Sequence, residues 1–291
     1  MKRLIKPLCA AAAALRAAFR PPTAGLAATQ AASSSPAPVP VDDPYDIERL
    51  VGGEHYRSFL KRVHETLAPR VYLEIGVFEG ASLSIAACRA IAVDPDPKLA
   101  SQGPLVEVHT KTSDAFFAED AATALRTRHD LAFIDGLHLF EFVLRDFMNT
   151  ERFANPWAAV VVDDIFPNHP AQASRNRHTL TWMGDVWKLA DCLARYRPDL
   201  LVVQLDTWPS GLLFVAGLDP ENTVLRDRYD EILARYLGPD YDVVPASVVA
   251  RRDGVDPTSA WLQRVFDYLG KARGLNLTAA EIGRSVRSLR G

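Results

Sequence analysis

The stretch V-Y-L-E-I-G-V-F-E-G-A-S at residues 71–82 carries the strongest structural signal in the chain. Its first five residues predict a short buried strand, and Gly76 and Gly80 follow where the chain turns towards a helix. Glycine reaches positive φ at little steric cost and lets a ligand approach the backbone closely. The spacing E-x-G-x-x-x-G matches neither the dinucleotide motif nor a P-loop. Because Glu74 precedes Gly76, the turn favours a ligand with an ammonium group or hydroxyls over a phosphate.

Asp94 lies eighteen residues after Gly76, at the end of the next predicted strand. A carboxylate about 20 residues beyond the glycine turn reaches the ribose hydroxyls in nucleotide-binding α/β folds. Taken separately, the two glycines could serve only to make a tight turn, and Asp94 could serve only to cap a turn. In register with two strands, they predict a ligand that contains adenosine.

Outward from this stretch, short apolar segments alternate with segments of helical periodicity. The predicted strands are Val71–Ile75, Ala90–Val93, Leu105–His109, Leu131–Ile134, Ala158–Val162, Leu200–Leu205 and Leu212–Val215. The predicted helices between them include Ser82–Arg89, Asp114–Arg128, Leu139–Met148 and Val186–Arg195. Nearly continuous apolar strands that alternate with helices indicate a parallel sheet covered on both faces. The short gap at residues 206–211 predicts a hairpin of the last two strands.

Carboxylates follow the fourth and fifth strands, in F-I-D-G-L-H and V-V-V-D-D-I-F-P. These segments place Asp135, Asp163 and Asp164 at one edge of the sheet, with His138 beside them. Clustered carboxylates repel unless a cation or a shared proton neutralises them, and oxygen ligands suit Mg²⁺, Mn²⁺ or Ca²⁺. The alternative is that Asp135 and Asp164 only cap the segments that follow. His138 is a candidate base, metal ligand or ordinary loop residue.

The ends of the chain differ from its middle. Residues 1–41 hold five basic residues and no acidic one, and their Ala, Ser and Pro content predicts a disordered basic leader or linker. A secretory signal and an organellar transit peptide are the alternatives to a cytoplasmic protein with a disordered extension. Residues 42–219 form the predicted catalytic domain. Residues 220–291 are predicted to be a helical extension that packs on the core or on a partner subunit, which would make a homo-oligomer.

The net charge of -3 argues against a nucleic-acid-binding protein, and no apolar run is long enough to cross a membrane. Three cysteines, none in a C-x-x-C pair, do not build a disulfide framework. These observations favour reduced thiols and a cytoplasmic location.

The E-I-G-x-x-x-G turn, Asp94 and the segment F-I-D-G-x-H-x-x-x-x-V-L-R-D resemble the class I S-adenosylmethionine-dependent methyltransferases, in the branch grouped as methyltransferase domain 24. The resemblance covers about residues 54–217. It implies a Rossmann-like, mostly parallel sheet of seven strands in the order 3-2-1-4-5-7-6, with helices on both faces.

The resemblance also implies the roles of individual residues in binding S-adenosylmethionine. Glu74, Gly76 and Gly80 would line its methionine part, Asp94 would bind its ribose, and Thr112 and Ser113 would lie near its adenine. Asp135 would adjoin the cofactor and, as in related metal-dependent O-methyltransferases, would hold Mg²⁺ together with Asp163 and Asp164.

These expectations predict transfer of a methyl group to an oxygen of a small molecule such as a sugar or polyol. Leu137 departs from the pattern, because relatives commonly carry a second acid there. The candidate catalytic residues are therefore His138 and Asp135, or metal polarisation replaces the base. A hydroxylase-like relative and a non-catalytic binding module of the same fold are the alternatives. Asp185, Trp187 and Lys188 are predicted either in a substrate lid or in an amphipathic helix with a buried tryptophan.

Overall fold

A computed structural model describes residues 47–290 of the chain. The predicted leader, residues 1–41, lies outside the described residues. The strands are β1 Val71–Ile75, β2 Arg89–Val93, β3 Val106–His109, β4 His129–Ile134, β5 Ala154–Val162, β6 Leu201–Leu205 and β7 Leu212–Ala216. The helices are α1 Tyr56–Leu67, α2 Ser113–Glu119, α3 Ala121–Ala124, α4 Phe140–Arg152, α5 Lys188–Tyr196, α6 Val224–Asp227, α7 Tyr229–Tyr236, α8 Ala246–Val249, α9 Ala260–Ala272 and α10 Ala279–Ser288.

The seven strands form one sheet in the order β3-β2-β1-β4-β5-β7-β6. Strands β1 to β5 pair in parallel, and β7 runs antiparallel to both β5 and β6. This order confirms the predicted Rossmann-like fold and its terminal hairpin. Because β1, β4 and β5 are parallel neighbours, the loops that follow them meet at one edge of the sheet.

Both faces of the sheet are buried, as the nearly continuous apolar strands predict. On one face, Leu73 and Ile75 of β1 join a core that includes side chains of α2, α4, α5 and α7. On the other face, Tyr72 of β1 joins a core that includes side chains of α1, α9 and α10. Of the described helices after residue 220, α6 and α7 therefore join the core on one face of the sheet, and α9 and α10 join the core on the other.

The predicted helix at Ser82–Arg89 is wrong. The chain there makes a single 3₁₀ turn at Leu83–Ile85, and Arg89 already belongs to β2. Thirteen residues separate Ile75 from Arg89, and the glycine turn uses five of them. Too few residues remain for an α-helix that also returns the chain to the start of the next parallel strand. The predicted helix at Asp114–Arg128 is likewise divided, into α2 and α3.

No helix in the described part of the chain combines the length and the apolar character that a bilayer crossing needs.

Candidate active site

The turn after β1 is tight because two glycines hold left-handed conformations. Gly76 has φ +82°, and a Cβ there would lie 1.8 Å from the carbonyl oxygen of Asp135. Gly80 has φ +78°, and its Cβ would lie 2.4 Å from the side chain of Leu99. The backbones that follow β1 and β4 therefore lie in direct contact, and this contact leaves no room for a side chain at Gly76.

Asp94, at the end of β2, forms hydrogen bonds with the backbone of this turn. Its Oδ2 accepts hydrogen bonds from the backbone N–H groups of Val77 at 2.8 Å and Phe78 at 2.9 Å. Its Oδ1 accepts from the N–H of Asp96 at 2.8 Å. A carboxylate has about four lone-pair sites, so these three contacts leave Asp94 one further site for a ligand hydroxyl. The predicted ribose-binding acid thus lies against the predicted methionine-binding turn.

Glu74 lies beneath the turn and is fully buried. The hydroxyls of Tyr72 and Ser82 each donate to one of its carboxylate oxygens at 2.7 Å. Burial raises the pKa of Glu74 to about 7, although both hydrogen bonds oppose the shift. Because Ser82 follows Gly80, Glu74 holds the far end of the glycine turn onto the sheet.

The predicted adenine-side residues begin α2. The hydroxyl of Thr112 accepts from the N–H of Ala115 and caps the helix, and Ser113 is its first residue. Next in the chain, Asp114 receives two hydrogen bonds from the guanidinium of Arg145, at 2.9 and 2.8 Å. Helix α4 therefore anchors the first turn of α2.

Asp146 of α4 is a buried acid that the sequence interpretation missed. It is 2% exposed, and burial raises its pKa to about 7 while a hydrogen bond from the Ser113 side chain opposes the shift. A Cβ on Gly136 would lie 3.4 Å from its Oδ2. Asp146 thus lies between the loop that precedes α2 and the loop that follows β4. The V-L-R-D segment contains it, but nothing in its local sequence distinguishes it from a surface acid.

Three polar side chains meet above the ends of β4 and β5. Asp135, His138 and Asp164 each offer one ligand atom, and these atoms all lie within 4.8 Å of one another. The Nε2 of His138 is 3.4 Å from Asp135 Oδ1, and its Nδ1 is 2.8 Å from Asp164 Oδ2. We call these three residues the acid–histidine cluster.

Asp163 belongs to a different set of contacts from Asp164. It is 7% exposed, and its Oδ1 accepts from the Ser210 hydroxyl and from the backbone N–H of Asp164, both at 2.8 Å. Asp164 adopts φ +66°, a left-handed conformation that aspartate tolerates better than most residues. The structure thus groups His138, rather than Asp163, with Asp135 and Asp164.

Charge and burial act against each other in this region. Burial alone would lower the pKa of His138, but the charge of Asp164 and hydrogen bonds to Asp135 and Asp164 raise it well above its ordinary value. Burial raises the pKa of Asp135, and the Asp164 charge adds to this rise. Burial, followed by the charges of Asp164 and Asp135, raises the pKa of Asp163 well above the usual range. The charge of Asp164 therefore disfavours the ionised forms of both Asp135 and Asp163.

Trp182 completes the surroundings of His138. Its carbonyl oxygen lies 2.7 Å from His138 Nδ1, and the two rings stack at a centroid separation of 5.4 Å. The following Gly184 has φ +55°, and a Cβ there would lie 1.7 Å from the carbonyl oxygen of His138. The loop from Trp182 to Gly184 therefore presses directly on the loop after β4.

Asp185 ties the same two loops together. It is buried, and its Oδ1 accepts from the N–H of Phe140 at 2.7 Å, which caps the start of α4. Its Oδ2 accepts from Arg175 at 2.6 Å and from the buried ammonium of Lys188 at 2.8 Å. Trp187 is also buried. These residues belong to the interior beneath the loops, which agrees with the amphipathic-helix prediction.

Residues 47–54 form a strap across this edge. The carboxylate of Glu48 accepts from the N–H groups of Leu180 and Thr181, both at 2.8 Å, and these backbone hydrogen bonds lower its pKa. The Gln172 amide donates to the carbonyl of Ile47 at 2.7 Å. The strap thereby supports the segment that carries Trp182.

Tyr56, the first residue of α1, faces the same group of carboxylates. Burial, then the charges of Asp163 and Asp135, raise its pKa to about 12. Its ring stacks on Phe133 of β4, with the centroids 6.2 Å apart. Its place 79 residues before Asp135 in the chain gave no sign of this position.

The arrangement joins two functions at one sheet edge. The glycine turn and Asp94 offer a cradle for a ligand with hydroxyls, and the acid–histidine cluster offers two carboxylates and an imidazole. Because Gly76 contacts Asp135, a group bound at the turn would adjoin the cluster. Such a site can bind a nucleoside and act on protons at a neighbouring oxygen.

Comparison with known proteins agrees with this geometry. A family model described as a methyltransferase domain matches residues 73–165, which run from β1 to just beyond β5. No curated protein matches the chain significantly.

Two solved structures illustrate the similarity. An O-methyltransferase from Bacillus cereus in complex with SAH shares 14% identity, over 55% of this chain and 80% of that chain, with a TM-score of 0.39. TomG, an O-methyltransferase from Streptomyces achromogenes involved in tomaymycin synthesis and in complex with SAM, shares 20% identity, over 59% of this chain and 83% of that chain, with a TM-score of 0.44.

The matched segment holds the glycine turn, Asp94 and the whole acid–histidine cluster. The sheet around it has the strand order that the resemblance implies. Residues 73–165 are therefore similar to a methyltransferase domain, within a sheet of the strand order expected for that fold.

Proposed function

We propose that this protein transfers a methyl group from S-adenosylmethionine to a hydroxyl oxygen of a small molecule such as a sugar or polyol. The observation that carries this proposal is the contact between Gly76 and Asp135, which joins the cofactor cradle to the acid–histidine cluster. Transfer is an in-line displacement, so the enzyme must align the acceptor oxygen with the sulfonium methyl and remove the hydroxyl proton.

The residues of the turn fit the cofactor. Gly76 and Gly80 hold left-handed conformations that keep the backbone of the turn free of side chains, and Asp94 offers an anionic acceptor beside them. Thr112 and Ser113 would lie at the adenine end, and Asp135 at the methyl end. When bound, S-adenosylmethionine supplies the electrophilic methyl group. The chain's own task is to hold it in one orientation and to exclude water from the acceptor side.

His138 is the proposed base for the acceptor hydroxyl. A carbonyl oxygen only accepts hydrogen bonds, so the contact with Trp182 places a proton on Nδ1. Asp164, 2.8 Å from that Nδ1, would stabilise the positive charge that the ring acquires. This leaves Nε2, on the side of Asp135, to receive the acceptor's proton when the ring is neutral, and the raised pKa of His138 means that the neutral fraction grows as pH rises. The arrangement follows the general logic of a histidine oriented by a carboxylate.

The same cluster fits a divalent cation. Two carboxylates and one imidazole nitrogen suit Mg²⁺, Mn²⁺ or a similar ion, and Asp135, His138 and Asp164 would hold it. With His138 as a ligand, such an ion would replace the histidine base by lowering the pKa of the acceptor hydroxyl. Asp163 would then help to position Asp164, because its Oδ1 accepts a hydrogen bond from the backbone N–H of Asp164.

A methyl-acceptor screen with isotope-labelled cofactor tests the proposal. The screen is run with sugars, polyols and phenols, each with and without Mg²⁺ or Mn²⁺. A labelled O-methyl ether supports the proposal. Cofactor binding without turnover on any acceptor would favour the binding module, and an oxygenated product without the label would favour the hydroxylase-like relative.

A further inference from the structure

A second cleft lies at the opposite edge of the sheet from the candidate active site. It has a volume of about 530 Å³, and its lining includes Arg128, which precedes β4, and Arg152 and Phe153, which precede β5. The six residues of β4 separate this edge from Asp135, a distance of about 20 Å at the usual rise of a strand. The cleft is therefore distinct from the site proposed for methyl transfer.

Four arginines line this cleft, which we call the arginine cleft: Arg126, Arg128, Arg152 and Arg226. Glu221 is the carboxylate that lines it within the described chain. Its side chain is 85% exposed, and its oxygen lies 3.6 Å from Arg128. The cleft thus concentrates positive charge in a protein whose net charge is -3.

Within the described chain, three of the four arginines of this cleft lack a carboxylate partner. Seven arginines elsewhere hold a carboxylate oxygen at 2.8 Å or less: Arg62, Arg89, Arg145, Arg175, Arg197, Arg228 and Arg251. By contrast, the guanidinium groups of Arg126, Arg152 and Arg226 form no ion pair with a carboxylate among residues 47–290. Like charges that share a cleft without counter-charges repel, so an anion bound there would relieve the repulsion.

Two of the arginines that line the cleft are held in place by contacts with its floor. Arg128 has φ +52°, and its Nη1 donates to the carbonyls of Arg152 at 3.2 Å and Ala154 at 3.0 Å. The guanidinium of Arg152 lies over the ring of Phe153, with 5.6 Å between Cζ and the ring centroid. Phe153 is half-buried and offers an apolar surface beneath the charges.

We propose that the arginine cleft binds an organic phosphate that carries at least two negative charges. The guanidinium fork matches the geometry of phosphate oxygens, and Phe153 supplies a surface for the organic part. Four arginines and one glutamate match a diphosphate in charge. The volume lies within the range of about 300–1,000 Å³ that is typical of small-molecule sites.

The proposal predicts saturable binding of inorganic pyrophosphate and of uridine diphosphate to the full chain. Isothermal titration calorimetry at low ionic strength measures both, with uridine as the phosphate-free comparison. We expect a Kd of about 1 mM or lower for the two phosphates, weakening as salt is added, and no saturable heat from uridine. Neither probe resembles S-adenosylmethionine in its base or its charge, and the readout does not depend on methyl transfer.

Paired charge reversals locate the binding. The variant Arg126→Glu/Arg226→Glu should raise the Kd for both phosphates about tenfold or more, because each arginine contributes charged hydrogen bonds. Arg264→Glu/Arg284→Glu is the matched control, since it changes the net charge equally at two exposed positions of α9 and α10. All four arginines are exposed, and circular dichroism melts verify that both variants fold. Equal losses in the two variants, or no saturable binding to the wild type, would overturn the proposal.

Discussion

His138 lies between Asp164 and the carbonyl of Trp182, with its Nδ1 2.8 Å from the carboxylate and 2.7 Å from the carbonyl. Neither oxygen belongs to a residue near His138 in the sequence, so the ring is oriented by two distant parts of the chain. Both contacts are to Nδ1, which leaves Nε2 as the nitrogen on the side of Asp135. The predictions that follow depend on this asymmetry and on the cradle beside it.

Asp164→Asn should lower kcat about 100-fold or more, because the variant loses the charge that orients and stabilises the His138 ring. Asp163→Asn is the matched control. Asp163 contacts Ser210 rather than the His138 ring, and asparagine keeps the oxygen that accepts from Ser210. We expect Asp163→Asn to reduce kcat much less. Equal effects of the two substitutions in steady-state assays would favour the predicted role of Asp163 as a metal ligand.

Chelation of divalent ions should abolish turnover and leave cofactor affinity nearly unchanged. The cluster would hold the ion, whereas Glu74 and Asp94 contact the turn without it. Added Mn²⁺ or Mg²⁺ should restore activity to the wild type but not to Asp164→Asn. If turnover survives the chelator, the ion has no part in the reaction and His138 Nε2 acts alone.

Asp94→Ala should weaken S-adenosylmethionine binding by about 1.5–3 kcal/mol, since the ribose would lose charged hydrogen bonds. Calorimetric titration measures the change. Asp96→Ala is the control, because Asp96 is exposed and its carboxylate pairs with Lys98 at the surface. Equal affinities of wild type and Asp94→Ala would remove Asp94 from the cofactor site.

Gly76→Ala should reduce the free energy of unfolding by at least about 2 kcal/mol or prevent folding. Its new Cβ would collide with the carbonyl of Asp135 at a φ that L-residues avoid. Gly103→Ala is the matched substitution, because the nearest atom to its Cβ would be a methyl group of Val106 at 3.8 Å. Chemical denaturation of both variants tests the difference. A Gly76→Ala protein as stable as Gly103→Ala would contradict the tight contact.

Asp146→Asn should change how stability depends on pH. Burial raises the pKa of Asp146 from 3.8 to about 7 in the folded protein, so the folded state binds a proton that the unfolded state has lost. Its contribution is fully present below pH 3.8 and falls as pH rises towards about 7.

The Asp146→Asn variant cannot ionise at this position, so it does not lose stability as pH rises towards about 7. Its melting temperature relative to wild type should therefore be higher at pH 8 than at pH 5. The difference in unfolding free energy should widen by at most about 1.4 kcal/mol per pH unit across the window. A difference that does not vary with pH would show that Asp146 stays ionised throughout.

Asp185→Ala should destabilise the fold by about 3–5 kcal/mol, because it leaves the ammonium of Lys188 buried without its carboxylate. The double variant Asp185→Leu/Lys188→Met removes both charges and should recover much of the loss. Denaturant titrations compare the two. If the single and double variants are equally unstable, the cap on Phe140, rather than the ion pair, carries the effect.

Much of the fold could be predicted because it rests on local and periodic features. Strand β1 matches its predicted bounds, since a strand buried on both faces is a continuous apolar run. The positions of Gly76, Asp94 and Asp135 at strand ends follow from the same pattern. The carboxyl ends of parallel strands lie at one edge, so these residues were expected to meet before their contacts were known.

The tertiary structure alone decided which polar groups face one another. Asp163 and Asp164 are neighbours in the sequence, yet Asp163 accepts a hydrogen bond from Ser210 whereas Asp164 contacts His138. These two contacts join residues 47 and 26 positions apart, and no local pattern encodes such contacts. For the same reason, the sequence did not predict that Asp146 lies beside Gly136 or that four arginines line one cleft at the opposite edge of the sheet. The sequence determined where the loops meet, and long-range packing determined which side chains those loops present.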